Sequence, residues 1–243
     1  MSFYVTVAGK FVNEKRLDII SNNIANSLTA GYKAVKPVFG MISNADESTG
    51  NNDQLKNTYV GIYDTFIDFS DAPIVDSGST FDMAIVGDGF FVIQGENGNL
   101  YTRNGQFTID KSNKLVTMSG DAVMGKGGEI TIDVTDGSNV LIENDGSIYL
   151  GKDLIDTVKI VDFSDKSGLR PVGKSYFTNE NQAEPEIAPA LYSIRQGSYE
   201  GSNVNIFREM VDMIQTMRAY ECYTKVDQMF SDVNGKLTEL GKF

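Results

Sequence analysis

The stretch from Ser202 to Leu240 constrains this chain most, because its apolar side chains keep helical spacing from end to end. Phe207, Met210, Val211, Ile214 and Met217 recur at steps of three and four, and beyond Tyr220 and Cys222 the stripe resumes through Val226, Met229, Phe230, Val233, Leu237 and Leu240. The spacing predicts one helix carrying a coiled-coil-like seam. Ser202 and Asn203 stand just ahead of it as N-cap candidates, and Glu209 and Asp212 lie early, where the helix dipole favours acids. Lys236 and Lys242 lie late, where it favours bases. Arg208 with Asp212, and Glu221 with Lys225, are spaced to pair across one turn. At ~1.5 Å per residue such a helix is ~57 Å long, several times the ordinary length in a globular domain. The expectation is an assembly helix with neighbours on several sides; a surface helix on its own domain is the alternative.

The other end of the chain carries a similar signal. Tyr4, Val7, Phe11, Leu17, Ile20 and Ile24 step at helical intervals, which predicts a second amphipathic helix over residues 2 to about 27. Between the two the chain changes character. Residues 43 to 58, with Asn51, Asn52 and Lys56, are polar and read as an extended connector, and Tyr59 to Phe69 reads as a strand. From residue 81 to about 192 short apolar runs alternate with turn signals. Val140–Glu143 and Ser147–Leu150 flank Asn144-Asp145-Gly146, and Phe91–Gln94 and Leu100–Thr102 flank Glu96-Asn97-Gly98-Asn99, which predicts two hairpins. The expected fold class is therefore α+β: long N- and C-terminal amphipathic helices packing as a coiled-coil-like helical domain, with an inserted antiparallel β domain. The expected divisions are 1–35 for the first helix and its turn, 36–80 for a connector with one strand, 81–192 for the β domain and 193–243 for the last helix.

Composition narrows the chemistry. The net charge of −12 leaves no basic patch to neutralise phosphates, so no nucleic-acid partner is expected. The absence of histidine removes histidine metal sites, Ser-His-Asp triads and histidine pH switches. A single cysteine, Cys222, excludes an internal disulfide and reads as a small hydrophobe on the last helix. Gly87-Asp88-Gly89 lacks the third glycine and following helix of a dinucleotide fingerprint. Asp110, Ser112 and Lys114 fail a calcium loop because lysine takes a ligand place, and pairs such as Asp133 with Asp136 read as solvated surface. No catalytic constellation, cofactor or metal is expected. Phe3 to Ala8 is too short for the apolar core of a secretory signal, and no stretch is long enough to span a membrane.

Ser21-Asn22-Asn23-Ile24-Ala25-Asn26-Ser27-Leu28-Thr29-Ala30-Gly31-Tyr32-Lys33 needs separate treatment. Three asparagines within five residues weaken a helix end unless their amides have partners. A fraying C-terminus with Gly31 at positive φ accounts for the glycine and leaves the asparagines unexplained. This run resembles the N-terminal motif of the bacterial flagellar rod and hook proteins, the axial family. Asp82-Met83-Ala84-Ile85-Val86-Gly87-Asp88-Gly89-Phe90-Phe91-Val92 is similar to that family's apolar strand followed by Gly-x-Gly-Phe-Phe, and Tyr101-Thr102-Arg103-Asn104-Gly105-Gln106-Phe107 to its Tyr-Thr-Arg-x-Gly-x-Phe. Gln196-Gly197-Ser198-Tyr199-Glu200-Gly201-Ser202-Asn203-Val204 resembles the block that opens its last helix, and Glu209 to Ile214 with Arg218 to Glu221 resemble that helix's interior. Leu28 departs from the family, which more often has a polar residue there.

The resemblance implies a structural, non-enzymatic subunit of the basal-body rod that assembles head-to-tail around an export channel. Its implied partners are copies of itself, other rod and hook axial proteins and the flagellar export apparatus, with export that uses no cleaved signal and residence in the periplasmic rod. Met124 to Ile130 and Leu169 to Gly173 are more similar to proximal rod members than to distal ones; a distal rod or hook-type subunit is the alternative within the family. Outside it stands a carbohydrate-binding or adhesive β domain with oligomerising helices. The expected subunit interface comprises Asn22, Asn23, Ala25, Asn26, Thr29, Gly31, Tyr32 and Lys33 in the first motif, and Gly197, Glu200, Ser202, Asn203 and Val204 ahead of the last helix. Along that helix it comprises Phe207, Met210, Met213, Ile214, Met217, Arg218, Tyr220, Glu221, Val226, Met229, Phe230, Val233, Leu237 and Leu240.

Overall fold

The computed structural model describes residues 2–43, 58–95, 98–133, 139–173, 175–179 and 185–240. The chain divides into two units. The first comprises Met1–Ala25, Ala34–Asp68 and Val204–Phe243; the second comprises Asn26–Lys33 and Phe69–Asn203. Most of the polar connector read at residues 43 to 58 lies outside the described residues.

In the first unit, α1 (Ser2–Ala25) is followed by the antiparallel pair β1 (Val35–Ser43) and β2 (Thr58–Ile67), and α2 (Ile206–Leu240) ends the chain. The two strands form a ribbon whose register shifts between Val38 and Phe39, with Val38 opposite Asp64 and Phe39 opposite Ile62. Tyr63 is the extra residue, and its Cβ lies 3.0 Å from where a Cβ on Gly40 would stand. The bulge thus lays an aromatic side chain over a strand glycine. The ribbon's β1 is absent from the sequence reading, which placed a single strand in this region.

The expected fold class is corrected here. Sixteen strands among the described residues make this a predominantly β chain, with one long C-terminal helix of 35 residues and a shorter N-terminal one of 24. The helices do not bury a coiled-coil seam. Where α1 meets α2, small residues and tyrosines make the contact: a Cβ on Gly9 would lie 2.6 Å from the Tyr223 ring, and the Lys10 ammonium sits 5.6 Å from the Tyr220 ring centre. Phe207, Met210, Val211, Ile214, Met217, Met229, Val233 and Leu237 stay exposed, as do Val7 and Phe11. Apolar residues at helical spacing specify a helix without specifying that its partner lies in the same chain. The start of α2 is also later than expected. Asn205 caps it, its Oδ1 accepting from the Arg208 amide at 3.1 Å, while Ser202 and Asn203 belong to the extended run before it. Asp212 lies 4.0 Å from Arg16 of α1.

The second unit holds β3 (Ile74–Asp76), β4 (Met83–Gly87), β5 (Phe90–Gly95), β6 (Gly98–Thr102), β7 (Phe107–Ile109), β8 (Leu115–Thr117), β9 (Val140–Ile142), β10 (Ser147–Leu150), β11 (Asp153–Thr157), β12 (Ile160–Val161), a 3₁₀ turn at Lys166–Gly168, β13 (Leu169–Val172), β14 (Tyr176–Asn179), β15 (Tyr192–Gln196) and β16 (Ser198–Glu200). Its largest sheet has the order β12-β5-β6-β14-β13, and β11-β10-β9 forms a second sheet; β4 pairs with β15, β3 with β16 and β7 with β8, all antiparallel.

Both hairpins read from turn signals are present as β5–β6 and β9–β10, although Glu96 and Asn97 lie outside the described residues. Asp145 closes the second turn by accepting from the Ser147 amide at 2.9 Å and hydroxyl at 3.0 Å. β5 is buried on both faces. Phe91 and Ile93 join the aliphatic core with Met83, Ile85, Leu115 and Ile148. Phe90 points the other way, into an aromatic cluster with Phe69, Phe163 and Phe177 at centroid distances of 5.4, 6.1 and 6.0 Å.

Candidate functional site

The motif residues converge on one buried charge cluster in the second unit. Behind α1 the chain turns, with the Thr29 amide donating to the Asn26 carbonyl at 3.1 Å and the Tyr32 amide to the Thr29 carbonyl at 3.3 Å. Gly31 has φ +67, and a Cβ there would lie 2.1 Å from the Asn104 backbone nitrogen, so the turn tolerates no side chain. The turn delivers Lys33 inward. Its Nζ lies 2.7 Å from Glu200 Oε1 and donates to the Ser70 carbonyl at 2.6 Å. Glu200 ends β16, and its Oε1 also accepts from the Ala72 amide at 3.1 Å. Arg103, just beyond β6, reaches Glu200 Oε2 at 3.3 Å, donates to the Gly87 carbonyl at 2.9 Å and lies 5.3 Å over the Phe90 ring.

These three charges are as buried as any apolar core: side-chain exposure is 0% for Lys33, 2% for Glu200 and 4% for Arg103. Burial pulls the Lys33 ammonium below the ordinary lysine range, while Glu200, and more weakly Asp71, pull it back up. Two cations thus share one carboxylate in a dry site, where removing one partner costs far more than the pair itself contributes.

A second device explains an asparagine. Asn23 is buried in the first unit, where its Oδ1 accepts from the Val35 amide at 3.0 Å and its Nδ2 donates to the Val35 carbonyl at 2.9 Å. The side-chain amide therefore pairs with β1 as another strand would, and it also hydrogen-bonds Glu209 at the start of α2. Asn23→Ala is expected to destabilise the first unit by ~1 to 3 kcal/mol, since it orphans both backbone groups of Val35; urea unfolding followed by helical circular dichroism measures it.

Burial raises the Glu209 carboxyl, and Asn23, Arg208 and Lys36 oppose the rise. A raised carboxyl favours the protonated form in the folded state. Its contribution is complete below the unfolded value and fades as pH rises through the folded one. The melting temperature of the chain relative to Glu209→Gln should accordingly fall as pH is raised across that window.

The expected interface residues separate into two groups. Asn23, Gly31, Lys33 and Glu200 are buried in the single chain. Asn203 joins them in part, its amide donating to the Tyr32 carbonyl at 3.4 Å and its Nδ2 to the Ser70 carbonyl at 3.2 Å. Asn26, Thr29, Tyr32, Gly197, Ser202, Val204, Met213, Tyr220, Val226 and Phe230 are half-buried. Asn22, Ala25, Arg218 and Glu221 are exposed with the apolar stripe of α2, in which Phe207 is 83% exposed; the Leu240 side chain lies outside the described residues. Leu28, the departure from the family pattern, is 91% exposed.

Arg103 is the member of the cluster to which the sequence reading gave no role. The available signal is a lone charged residue inside the otherwise uncharged block Tyr101 to Phe107. Among the described residues no group of acids, cysteine or histidine is placed to hold a metal ion. Asp133 accepts from Asn113, and Asp136 lies outside the described residues. No helix is long and apolar enough to cross a membrane.

Three family profiles match the chain. One described as flagella basal body rod protein covers residues 13–33, the flagellar hook protein FlgE/F/G D1 domain covers 84–150, and the flagellar basal body rod FlgEFG protein C-terminal covers 195–240. Each matched segment contributes one member of the buried cluster: Lys33, Arg103 and Glu200. The flagellar basal-body rod protein FlgF of Caulobacter vibrioides is 30% identical over 243 residues, covering 99% of this chain and 98% of that protein. The flagellar basal-body rod protein FlgG of Buchnera aphidicola subsp. Acyrthosiphon pisum is 31% identical over 261 residues, covering 98% and 99%. The FlgF protein of Rhizobium meliloti is 29% identical over 235 residues, covering 96% and 93%.

Proposed function

The chain belongs to the flagellar basal-body rod protein family and is a structural subunit of the basal-body rod, and on that premise we propose that it occupies the proximal, FlgF-type position and docks through the exposed stripe of α2. Alignment length supports the position. The Caulobacter FlgF aligns over 243 residues, the length of this chain, whereas the Buchnera FlgG needs 261 and therefore carries residues this chain lacks. Export without a cleaved signal, contact with the export apparatus and residence in the periplasmic part of the rod belong to the same proposal.

One observation carries the docking role. The charges of the motifs, Lys33, Arg103 and Glu200, are buried and paired within the chain, while Phe207, Val211, Ile214 and Met217 are exposed on a single helix. An exposed apolar stripe of that length marks a surface meant to be covered. Copies and related axial subunits stacked along a screw axis cover it through head-to-tail contacts that never close into a ring.

Basal bodies purified from a strain carrying an epitope-tagged chain test the assignment: the chain is expected at the proximal end of the rod by immunogold labelling, and its absence from intact basal bodies would overturn the reading. Function without catalysis is part of the proposal. Alanine replacements of Glu143 and Asp133 are expected to leave swimming on soft agar within about twofold of the parent, because surface substitutions of this kind shift stability by only ~0.5 kcal/mol.

A further inference from the structure

The buried cluster sits where the second unit is tied to the rest of the chain. The chain enters this unit at residue 26, leaves it after residue 33 for residues 34–68, re-enters at 69 and leaves for good after residue 203. The Gly31 amide donates to the Glu200 carbonyl at 2.8 Å, the Asn203 amide to the Tyr32 carbonyl at 3.4 Å, and Lys33 Nζ lies 2.7 Å from Glu200 Oε1. Lys33 and Glu200 are separated by 167 positions in sequence, so nearly the whole β structure lies between two adjacent points in space.

We propose that Lys33, Glu200 and Arg103 form a mechanical clamp that short-circuits the β unit, so that tension arriving through the two ends of the chain crosses from residue 33 to residue 200 without loading the sheets. The proposal rests on reading the chain as a load-carrying rod subunit. The two runs ascend together, 31 opposite 200 and 32 opposite 203, so pull toward the N-terminus enters one end of the patch and pull toward the C-terminus leaves at the other. That is shear. Its bonds are strained together, whereas an antiparallel pair pulled from adjacent ends would open one bond at a time.

Chemistry adds to geometry. Lys33 and Glu200 are closed off from water, so a strained hydrogen bond has no solvent partner to replace it, and low polarity strengthens the ionic contact. Arg103 braces the other carboxylate oxygen and is itself fixed to the Gly87 carbonyl at the end of β4, which prevents Glu200 from swinging out with the departing chain.

Single-molecule stretching of the full chain, held by its two ends at constant force, tests this. Failure of the clamp has its own signature, a step of roughly 550 to 600 Å as the intervening residues extend. Glu200→Gln is expected to shorten the lifetime before that step by on the order of a hundredfold, as breaking a buried charge pair does. Lys33→Gln, which leaves Arg103 on Glu200, is expected to shorten it by at least about tenfold and stands in if Glu200→Gln does not fold.

Ile148→Ala, buried in the aliphatic core away from the cluster, should lower the melting temperature yet keep the lifetime within about threefold, with Ile148→Val in reserve if it fails to fold. Equal shortening by the core variant and the clamp variants, or none by either clamp variant, overturns the proposal. The measurement uses the isolated chain, so a failed clamp leaves the rod assignment standing, and absence of the chain from basal bodies would leave a positive stretching result standing.

Discussion

Replacing Glu200 with alanine is expected to cost the second unit ~3 to 5 kcal/mol, a large part of the ~5 to 15 kcal/mol that holds an ordinary domain folded. The change removes the carboxylate that pairs with both Lys33 and Arg103, leaves them hydrogen-bonded to the Ser70 and Gly87 carbonyls, and strips the Ala72 amide of its acceptor. Urea unfolding followed by tyrosine fluorescence reads the loss. It should also have a pH signature. Burial already holds the Lys33 ammonium below its ordinary range against the pull of Glu200, and deleting that carboxylate removes the opposing influence. A lysine lowered in the folded state sheds its proton there before the unfolded chain does, so stability recovers as pH rises from neutrality toward the ordinary lysine value. The deficit of Glu200→Ala should shrink between neutral pH and about pH 10. Replacing all three charges with Met or Leu is expected to return stability to within ~1 to 2 kcal/mol of the parent. A Glu200→Ala loss under ~1 kcal/mol at neutral pH would mean water reaches the cluster and the site is not the dry one described.

The cluster marks where reading the sequence stops. Lys33 and Glu200 stand in recognisable motifs, but a charged residue is ordinarily solvated, and nothing local says that a turn and a strand 167 positions apart will bury this pair. Their expected place at a subunit interface comes from the resemblance of their motifs to the axial family, which does not specify their partners inside the chain. Elements set by local chemistry were legible: the turn at Asn144-Asp145-Gly146 needs nothing beyond its own residues to make β9–β10.

The β1–β2 ribbon was not legible as a pair. Pro37 and Gly40 interrupt the apolar alternation of β1, and Tyr63 in β2 covers that glycine only once the two strands are paired. The fold class failed for a related reason. The apolar spacing in α2 is real, yet most of its large side chains stay exposed in the single chain, and the helix contact includes Gly9 against Tyr223 and Lys10 over Tyr220, which no search for large aliphatic side chains would select. Asn23 lies between these cases. Its misfit in a helix was visible, and its partner Val35 was not.

Phe207→Asp is expected to abolish swimming while leaving the isolated chain as stable as the parent. Phe207 is 83% exposed, so in the free subunit a carboxylate there meets water and costs little. It also falls in the first turn of α2, beside Glu209, where the helix dipole favours an added acid. In the assembled rod the same position would be pressed against apolar neighbours, and an unpaired charge buried there costs several kcal/mol at each copy. Because the contact is head-to-tail, one variant subunit spoils the next docking step as well. Co-expression with the parent chain should therefore reduce swimming. Met217→Asp, further along the stripe and 47% exposed, should behave alike with a smaller co-expression effect. The measurements are soft-agar swimming, the variant's content in purified basal bodies and the melting temperature of the pure chain. Normal swimming with Phe207→Asp present in intact basal bodies would show that this helix does not make the docking surface; a lowered melting temperature of the isolated variant would trace lost motility to folding and leave the stripe without support.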